Sequence, residues 1–206
     1  AFETATGHHA VFSFGSTGQL FAQITQDAPF EVFLAADQTR PKKAVDDGFA
    51  VPGSRFVYAT GRIVLFSADA GLVTGEATLK SGDFAKIAIA SPTTAPYGAA
   101  AVEAMRKLGV YDALAAKIVR GTNVVQAFQF VETGNAELGI VAFSQLANRD
   151  GGSRWVIPEH LHAAIAQDAV LLKNGAGNAT AVAFVDFLKG PEARKVKARF
   201  GYGAGD

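Results

Sequence analysis

The stretch FSFGSTGQLFAQI, residues 12–24, decides how the first part of the chain folds. The apolar run over residues 11–14 is typical of a strand, and it ends at the sequence GSTG, residues 15–18. After this loop the apolar side chains recur at helical spacing, at Leu20, Phe21 and Ile24. The sequence therefore predicts a strand that passes into a helix through a loop of two glycines and two hydroxyl residues.

The same unit of apolar run, polar loop and helix recurs along the chain. An apolar run and its loop are found at IAIASPTTAPYG (residues 87–98), which leads into a helix. NVVQAFQFVETGN (residues 123–135) has the spacing of a further helix, and LGIVAF (residues 138–143) adds another apolar run. Helices that alternate with nearly continuous apolar strands predict an α/β protein with mostly parallel sheets. The first residues, 1–12, predict the last turn of an amphipathic helix, a turn and a strand. We therefore expect a strand and most of its helix to precede this sequence.

Composition limits the classes of function. The 206 residues suffice for one or two domains, and 19 basic residues balance 19 acidic ones. A neutral chain without basic runs argues against nucleic acid or an anionic membrane surface as the main partner. No apolar run reaches the roughly 20 residues that a membrane helix needs. Because the chain has no cysteine, disulfides, thiolate metal sites and cysteine nucleophiles are excluded.

Three junctions that lead into helices have the ingredients of an anion site. They contain Ser16 and Thr17, then Tyr97, then Asn123 and Val124. The start of a helix offers backbone N–H groups and the positive end of its dipole. None of the three loops contains Lys or Arg, which favours binding of an oxyanion without chemistry. Ordinary helix capping by Ser, Thr and Asn is the alternative for each junction.

Signatures of catalysis and of metal binding are weak. The chain lacks the phosphate-binding GxxxxGK[ST] pattern and the hydrolase GxSxG spacing. His8 and His9 are adjacent, so in a strand they would point to opposite faces. His160 and His162, with Glu159 nearby, would need to meet a third ligand to hold a metal ion. Histidines exposed in a turn are the alternative.

Several segments carry a resemblance to a known family. They are residues 5–43, which contain GSTG and APFEVFLAADQ, and residues 53–68 (GSRFVYATGRIVLFSA), 87–98, 138–146 (LGIVAFSQL) and 187–202 (FLKGPEARKVKARFGY). In this order, and over essentially the whole chain, the sequence resembles the periplasmic molybdate-binding proteins, the solute receptors of molybdate ABC transporters.

The resemblance implies a two-lobed periplasmic-binding-protein type II fold of class α/β. Each lobe would be a mostly parallel sheet flanked by helices, with the ligand cleft between the lobes. Lobe I would consist of residues 1–60 and 168–206, and lobe II of residues 61–167. The family's first strand and first binding loop would precede residue 1, so we expect both to be absent from this sequence.

The resemblance also implies a ligand site. In the family, hydroxyls and backbone N–H groups at helix starts hold the oxyanion. Thr17 matches the position whose hydroxyl and N–H face the ion, with Ser16 beside it. Tyr97 and Val124 match positions that donate backbone N–H groups, and Asn123 flanks the second. No catalytic residue, no cofactor and no direct metal ligand are expected, because molybdenum or tungsten enters as the oxyanion.

One departure from the family concerns a tyrosine. In some members a tyrosine near residue 142 contacts the ligand through its phenol. In this sequence the residue is Ala142. The ring of Tyr97, in the APYG loop, is expected to supply that contact instead.

The function implied is high-affinity binding of molybdate or tungstate and delivery to the permease of an ABC transporter. The protein would be a periplasmic monomer, with its signal peptide removed, and not an enzyme. A receptor for another small oxyanion, such as sulfate, phosphate or a carboxylate, is the alternative. An α/β enzyme acting on a small anionic substrate is the more remote one.

Overall fold

A computed structural model describes residues 1–204 of the chain. The chain forms two compact units. Unit 1 consists of Ala1–Thr60 together with the chain from Ala166 onward, and unit 2 is Gly61–Ile165. The chain thus passes from one unit to the other at residues 60–61 and again at residues 165–166. The family resemblance implied the same first crossing and placed the second at residues 167–168.

The helices and strands alternate along most of the chain. The helices are α1 (Phe2–Thr6), α2 (Thr17–Ile24), α3 (Thr39–Asp46), α4 (Glu76–Ser81), α5 (Pro96–Lys107), α6 (Tyr111–Leu114), α7 (Val124–Glu132), α8 (Ala179–Lys189) and α9 (Pro191–Arg199). The strands are β1 (Val32–Leu34), β2 (Phe56–Gly61), β3 (Ile63–Ser67), β4 (Ile87–Ala90), β5 (Ile118–Gly121), β6 (Leu138–Ala142), β7 (Ser153–Val156), β8 (Ile165–Leu171) and β9 (Gly203–Ala204). Short 3-10 turns include Phe143–Leu146 and Glu159–Leu161.

Unit 1 is built on a sheet with the strand order β1-β8-β2-β9. β1 runs antiparallel to β8, with Phe33 opposite Val170, and β2 runs antiparallel to β9. Phe33, Ala44 and Val170 are buried in a core that α2 and α3 help to cover. Burial of these apolar side chains is the main force that holds the helices on the sheet.

Unit 2 is built on a sheet with the order β5-β4-β6-β3-β7. β4 is parallel to both β5 and β6, whereas β3 is antiparallel to β6 and to β7. Every residue of β3, β4 and β6 is buried. Because β5, β4 and β6 point the same way, their carboxyl ends lie at one edge of the sheet, which is where open α/β sheets bind ligands.

The α/β class predicted from the sequence is confirmed, but the sheets are mixed. The expectation of mostly parallel strands holds for β5, β4 and β6 only, and the strand pairs described in unit 1 are antiparallel. An apolar run indicates that a strand is covered on both faces. It does not report direction, since a covered antiparallel strand has the same composition.

The strand predicted over residues 11–14 does not form. The helical turn before it is present as α1, but residues 8–16 are assigned to no helix or strand, and Val11 and Phe14 are 87% and 85% exposed. Among the described residues, no backbone hydrogen bond joins residues 9–15 to a neighbouring strand. β-propensity alone does not make a strand, because backbone N–H and C=O groups must find partners on an adjacent chain.

None of the helices within residues 1–204 combines the length and the apolar character needed to cross a bilayer.

Candidate functional site

In unit 1, the GSTG loop caps the start of α2. Ser16 is the N-cap residue: its Oγ accepts the Gln19 N–H at 3.4 Å and donates to Gln19 Oε1 at 2.9 Å. The same Oε1 accepts the Ser16 backbone N–H at 3.1 Å. This reciprocal arrangement is a capping box, and its Ser-x-x-Gln spacing was a signal already present in the sequence. The hydroxyl proton of Ser16 is therefore used within the cap.

Thr17, the first residue of α2, behaves differently. Its Oγ1 accepts the backbone N–H of Ala36 at 3.0 Å, which ties the helix start to the chain just after β1. The side chain is buried, with 5% of the residue exposed. As an acceptor in this bond, the hydroxyl keeps its own proton available for donation. Of the two hydroxyls predicted for the site, Thr17 is the one with a donor to offer.

In unit 2, two predicted positions lie at the same edge of the sheet. α5 follows β4 and α7 follows β5, and these strands are parallel with Ala90 opposite Gly121. The Ser91 N–H donates to the Gly121 carbonyl at 2.7 Å, so the two loops stay together beyond the ends of the strands. The structure thereby brings the helix starts of Tyr97 and Val124 to one edge of this sheet.

The start of α5 packs tightly on the end of β4. Pro96 occupies the first helical position, and Tyr97, 7% exposed, the second. A Cβ at Gly98 would lie 2.2 Å from the Ala90 carbonyl oxygen, so only glycine permits this approach. The first turn of α5, and with it the backbone of Tyr97, is consequently held in place by the strand.

The start of α7 is capped by Asn123, whose Oδ1 accepts the Gln126 N–H at 3.0 Å. The Gln126 side chain in turn accepts the Thr122 N–H at 2.6 Å. Asn123 thus performs the ordinary capping role that the sequence left open. Among the described residues, the first-turn N–H groups of Val124 and Val125 have no hydrogen-bond partner, as expected for the first positions of a helix.

Gln145, which the sequence analysis did not single out, also contacts the start of α7. Gln145, in the turn after β6, accepts the Ala142 N–H through Oε1 at 3.0 Å and donates from Nε2 to the Val124 carbonyl at 3.3 Å. Ala142 itself is buried at the end of β6. The contact joins residues that are 21 positions apart, and no short-range pattern in the sequence points to it.

The histidines do not assemble a metal site. His8 meets the Thr180 hydroxyl at 3.0 Å, and His9 contacts Glu3. His162 is buried and its Nδ1 lies 2.7 Å from the Ala163 carbonyl, whereas His160 is exposed. Over residues 1–204, His, Asp and Glu side chains form no group of three or more that could hold a metal ion.

The arrangement in each unit is one of neutral donors. The described contacts of Ser16, Thr17, Asn123 and Val124 are all with backbone or amide groups, without a nucleophile paired to a base. Such helix starts bind anions through N–H groups and the helix dipole.

A family model described as bacterial extracellular solute-binding protein matches residues 1–203. The chain belongs to this family.

Two known proteins are similar to this chain over nearly its whole length. A molybdate-binding protein of Rhodobacter capsulatus is 53% identical over 98% of this chain and 80% of its own length. A putative ABC transporter substrate-binding lipoprotein of Bacillus subtilis is 31% identical over 93% of this chain and 74% of its own length. Both are named for binding a solute.

A solved structure confirms the periplasmic-binding-protein fold expected for a member of this family. It is the periplasmic molybdate-binding protein of Azotobacter vinelandii, 40% identical, with a TM-score of 0.95 over 100% of this chain and 91% of that one.

Proposed function

We propose that this protein binds molybdate or tungstate and delivers the ion to the membrane permease of an ABC transporter. The observation that carries the proposal is the start of α7, where capping leaves the Val124 and Val125 N–H groups without a partner among the described residues. This helix start belongs to a chain that is 53% identical to a molybdate-binding protein. The name of the Bacillus subtilis relative supports the link to an ABC transporter.

In the proposed site, neutral groups carry the negative charge of the oxyanion. The proposed donors are the Thr17 hydroxyl and N–H at the start of α2 and the backbone N–H groups of Tyr97 and Val124 at the starts of α5 and α7. Ser16 and Asn123 act by capping the helix starts that present these donors. A buried dianion is tolerated when several preorganised donors spread its charge.

Selectivity follows from the same donors. The helix starts fix the positions of these N–H groups, so the groups cannot all reach the oxygens of a smaller tetrahedral ion. Each buried donor left without a partner lowers the binding free energy by about 1–3 kcal/mol. Sulfate and phosphate should therefore bind more weakly than the larger molybdate and tungstate. The Tyr97 ring is proposed to contact the ion in place of the tyrosine that some members have near residue 142.

We infer a periplasmic location, since the Azotobacter protein is named as periplasmic and the family as extracellular. We also infer that the protein works as a monomer, without a cofactor and without catalysis. Light scattering of the purified protein and assays for turnover of the bound anion test these points.

The primary test is calorimetric titration of the purified protein with molybdate, tungstate, sulfate and phosphate, in a phosphate-free buffer. Tight binding of the first two ions, with little or no heat from the others, supports the proposal. Preferential binding of sulfate or phosphate would replace it with a receptor for that ion. Absence of binding for all four ions would overturn it, and so would turnover of the bound ion.

The contribution of one N–H group can be tested by Val124→Pro. Proline lacks the N–H but is well accepted at the first position of a helix, and the extended backbone of Asn123 (φ −150°, ψ 177°) suits the residue before proline. We expect molybdate affinity to fall at least roughly tenfold, as for loss of a hydrogen bond to a charged group. Val124→Ala keeps the N–H and should bind nearly as the natural protein does. Equal affinity of the two variants would remove Val124 from the site.

A further inference from the structure

Gln145 spans two backbone groups that belong to different parts of unit 2. Its Oε1 accepts from the last residue of β6, Ala142, at 3.0 Å, and its Nε2 donates to the first residue of α7, Val124, at 3.3 Å. The side chain is half-buried. One amide therefore connects the end of a central strand to the first turn of the helix that offers unpartnered N–H groups.

The carbonyl that Gln145 contacts belongs to the peptide unit whose N–H is that of Val125. Donation to a carbonyl polarises the peptide group and strengthens its N–H as a donor, because chains of hydrogen bonds reinforce one another. The same contact restrains the first turn of α7, while Gln126 restrains the preceding loop through the Thr122 N–H at 2.6 Å. Neither glutamine is charged, so both leave the helix start free to accept an anion.

We propose that Gln145 is a positioning residue for oxyanion binding. It fixes and polarises the first turn of α7 so that the Val124 and Val125 N–H groups face the ion in a constant geometry. The inference rests on the proposed function for its ligand, but its structural part concerns the ligand-free protein. It assigns a role to a side chain that binds no ligand atom itself.

The test combines a spectroscopic readout with binding. Gln145→Met has a side chain of similar length and no hydrogen bond to offer, so it removes both contacts. We expect the amide ¹⁵N resonance of Val125 to move upfield in the ligand-free protein, since its peptide carbonyl loses a donor. Molybdate affinity should fall roughly fivefold to tenfold, the effect of one ordinary hydrogen bond. Gln145→Asn, which is too short to span both groups, provides a second variant and should show the same changes.

Gln129→Met is the matched control, because Gln129 is exposed on the same helix and its side chain makes no described contact with the loop. It should leave the Val125 resonance and the affinity unchanged. An unchanged Val125 resonance in both Gln145 variants, or affinity within twofold of the natural protein, would overturn the proposal. So would an equal loss in Gln129→Met.

The two proposals fail in distinguishable ways. If the natural protein binds none of the four oxyanions, the proposed function fails, while the amide resonances of the ligand-free variants still decide whether Gln145 restrains α7. If the natural protein binds molybdate and the variants do too, only the role of Gln145 is lost. A merely structural role would lower the melting temperature without changing affinity, which also contradicts the proposal.

Discussion

The Thr17 hydroxyl accepts the Ala36 N–H at 3.0 Å, so the first residue of α2 is fixed to the chain that leaves β1. This bond helps to fix the geometry of the GSTG loop, residues 15–18. The Ser16–Gln19 capping box holds the loop to α2, and the Thr17 hydroxyl holds it to the chain after β1. It also determines that the proton of Thr17, rather than that of Ser16, remains available.

Replacement of this hydroxyl should affect both folding and binding. Thr17→Val keeps the shape of the side chain but leaves the Ala36 N–H without its acceptor, so we expect the free energy of unfolding to fall by about 1–2 kcal/mol. Urea unfolding of the ligand-free protein measures this change. Thr17→Ser retains the hydroxyl and should retain most of the stability and of the molybdate affinity. A loss in Thr17→Ser as large as in Thr17→Val would contradict the role given to the hydroxyl.

The close approach of α5 to β4 predicts a strong effect of one methyl group. In Gly98→Ala the new Cβ would lie 2.2 Å from the Ala90 carbonyl oxygen, so the helix start must move away from the strand. We expect a loss of at least about 2 kcal/mol in the free energy of unfolding, comparable to overpacking of a core. In Gly177→Ala no described atom lies within 4 Å of the new Cβ, so its stability should be unchanged or slightly higher. Similar stabilities of the two variants would show that α5 can shift without cost.

An ion pair in unit 1 joins a buried carboxylate, that of Asp168, to the partly exposed guanidinium of Arg55. Asp168 is fully buried and its carboxylate lies 2.5 Å from the Arg55 guanidinium, with Gln38 as a second donor at 3.2 Å. Arg55→Ala leaves a buried carboxylate without its counter-charge, and we expect a loss of about 3 kcal/mol.

The matched control for this pair is Lys42→Ala, since Lys42 and Asp46 form a pair in which both side chains are more than half exposed. Exposed pairs contribute about 0–1 kcal/mol. Urea unfolding at neutral pH compares the variants, and equal losses would mean that Asp168 does not depend on Arg55.

Tyr58 makes the stability of unit 1 depend on pH in the alkaline range. Burial of its hydroxyl, and then the nearby Tyr202 and Asp168, raise the pKa of Tyr58 well above its ordinary value of 10.0. In the unfolded chain Tyr58 loses its proton near pH 10, whereas in the folded protein it keeps the proton and donates it to Gln167 at 2.8 Å. This contribution to stability is therefore complete below pH 10 and is lost as the pH rises above that value.

We expect Tyr58→Phe to be less stable at neutral pH and to lose less stability between pH 9 and pH 11 than the natural protein, as measured by urea unfolding. Tyr111→Phe is the control and should follow the natural protein. Absorbance at 295 nm should show a tyrosine titrating well above pH 10, and that step should be absent from Tyr58→Phe. A pH profile unchanged by Tyr58→Phe would contradict the prediction.

Much of the candidate site was predictable because helix starts are local structures. The cap at Ser16 and the cap at Asn123 each use groups within three residues of one another, so residue type and spacing suffice to predict them. The alternation of strands and helices was equally visible in the apolar runs. The family resemblance added the link from these helix starts to an oxyanion.

The sequence by itself determined the α/β class, the positions of the helix starts and their neutral character, since these depend on neighbours within a few residues. Only the tertiary structure decided the rest: the mixed direction of the strands, the unpaired state of residues 11–14, the acceptor role of Thr17 toward Ala36 and the bridge from Gln145 to Val124. Each of these depends on which chain segment lies alongside another. Strand pairing and side-chain contacts between distant residues have no signature in local composition, because hydrogen bonds across a fold join groups that the sequence keeps apart.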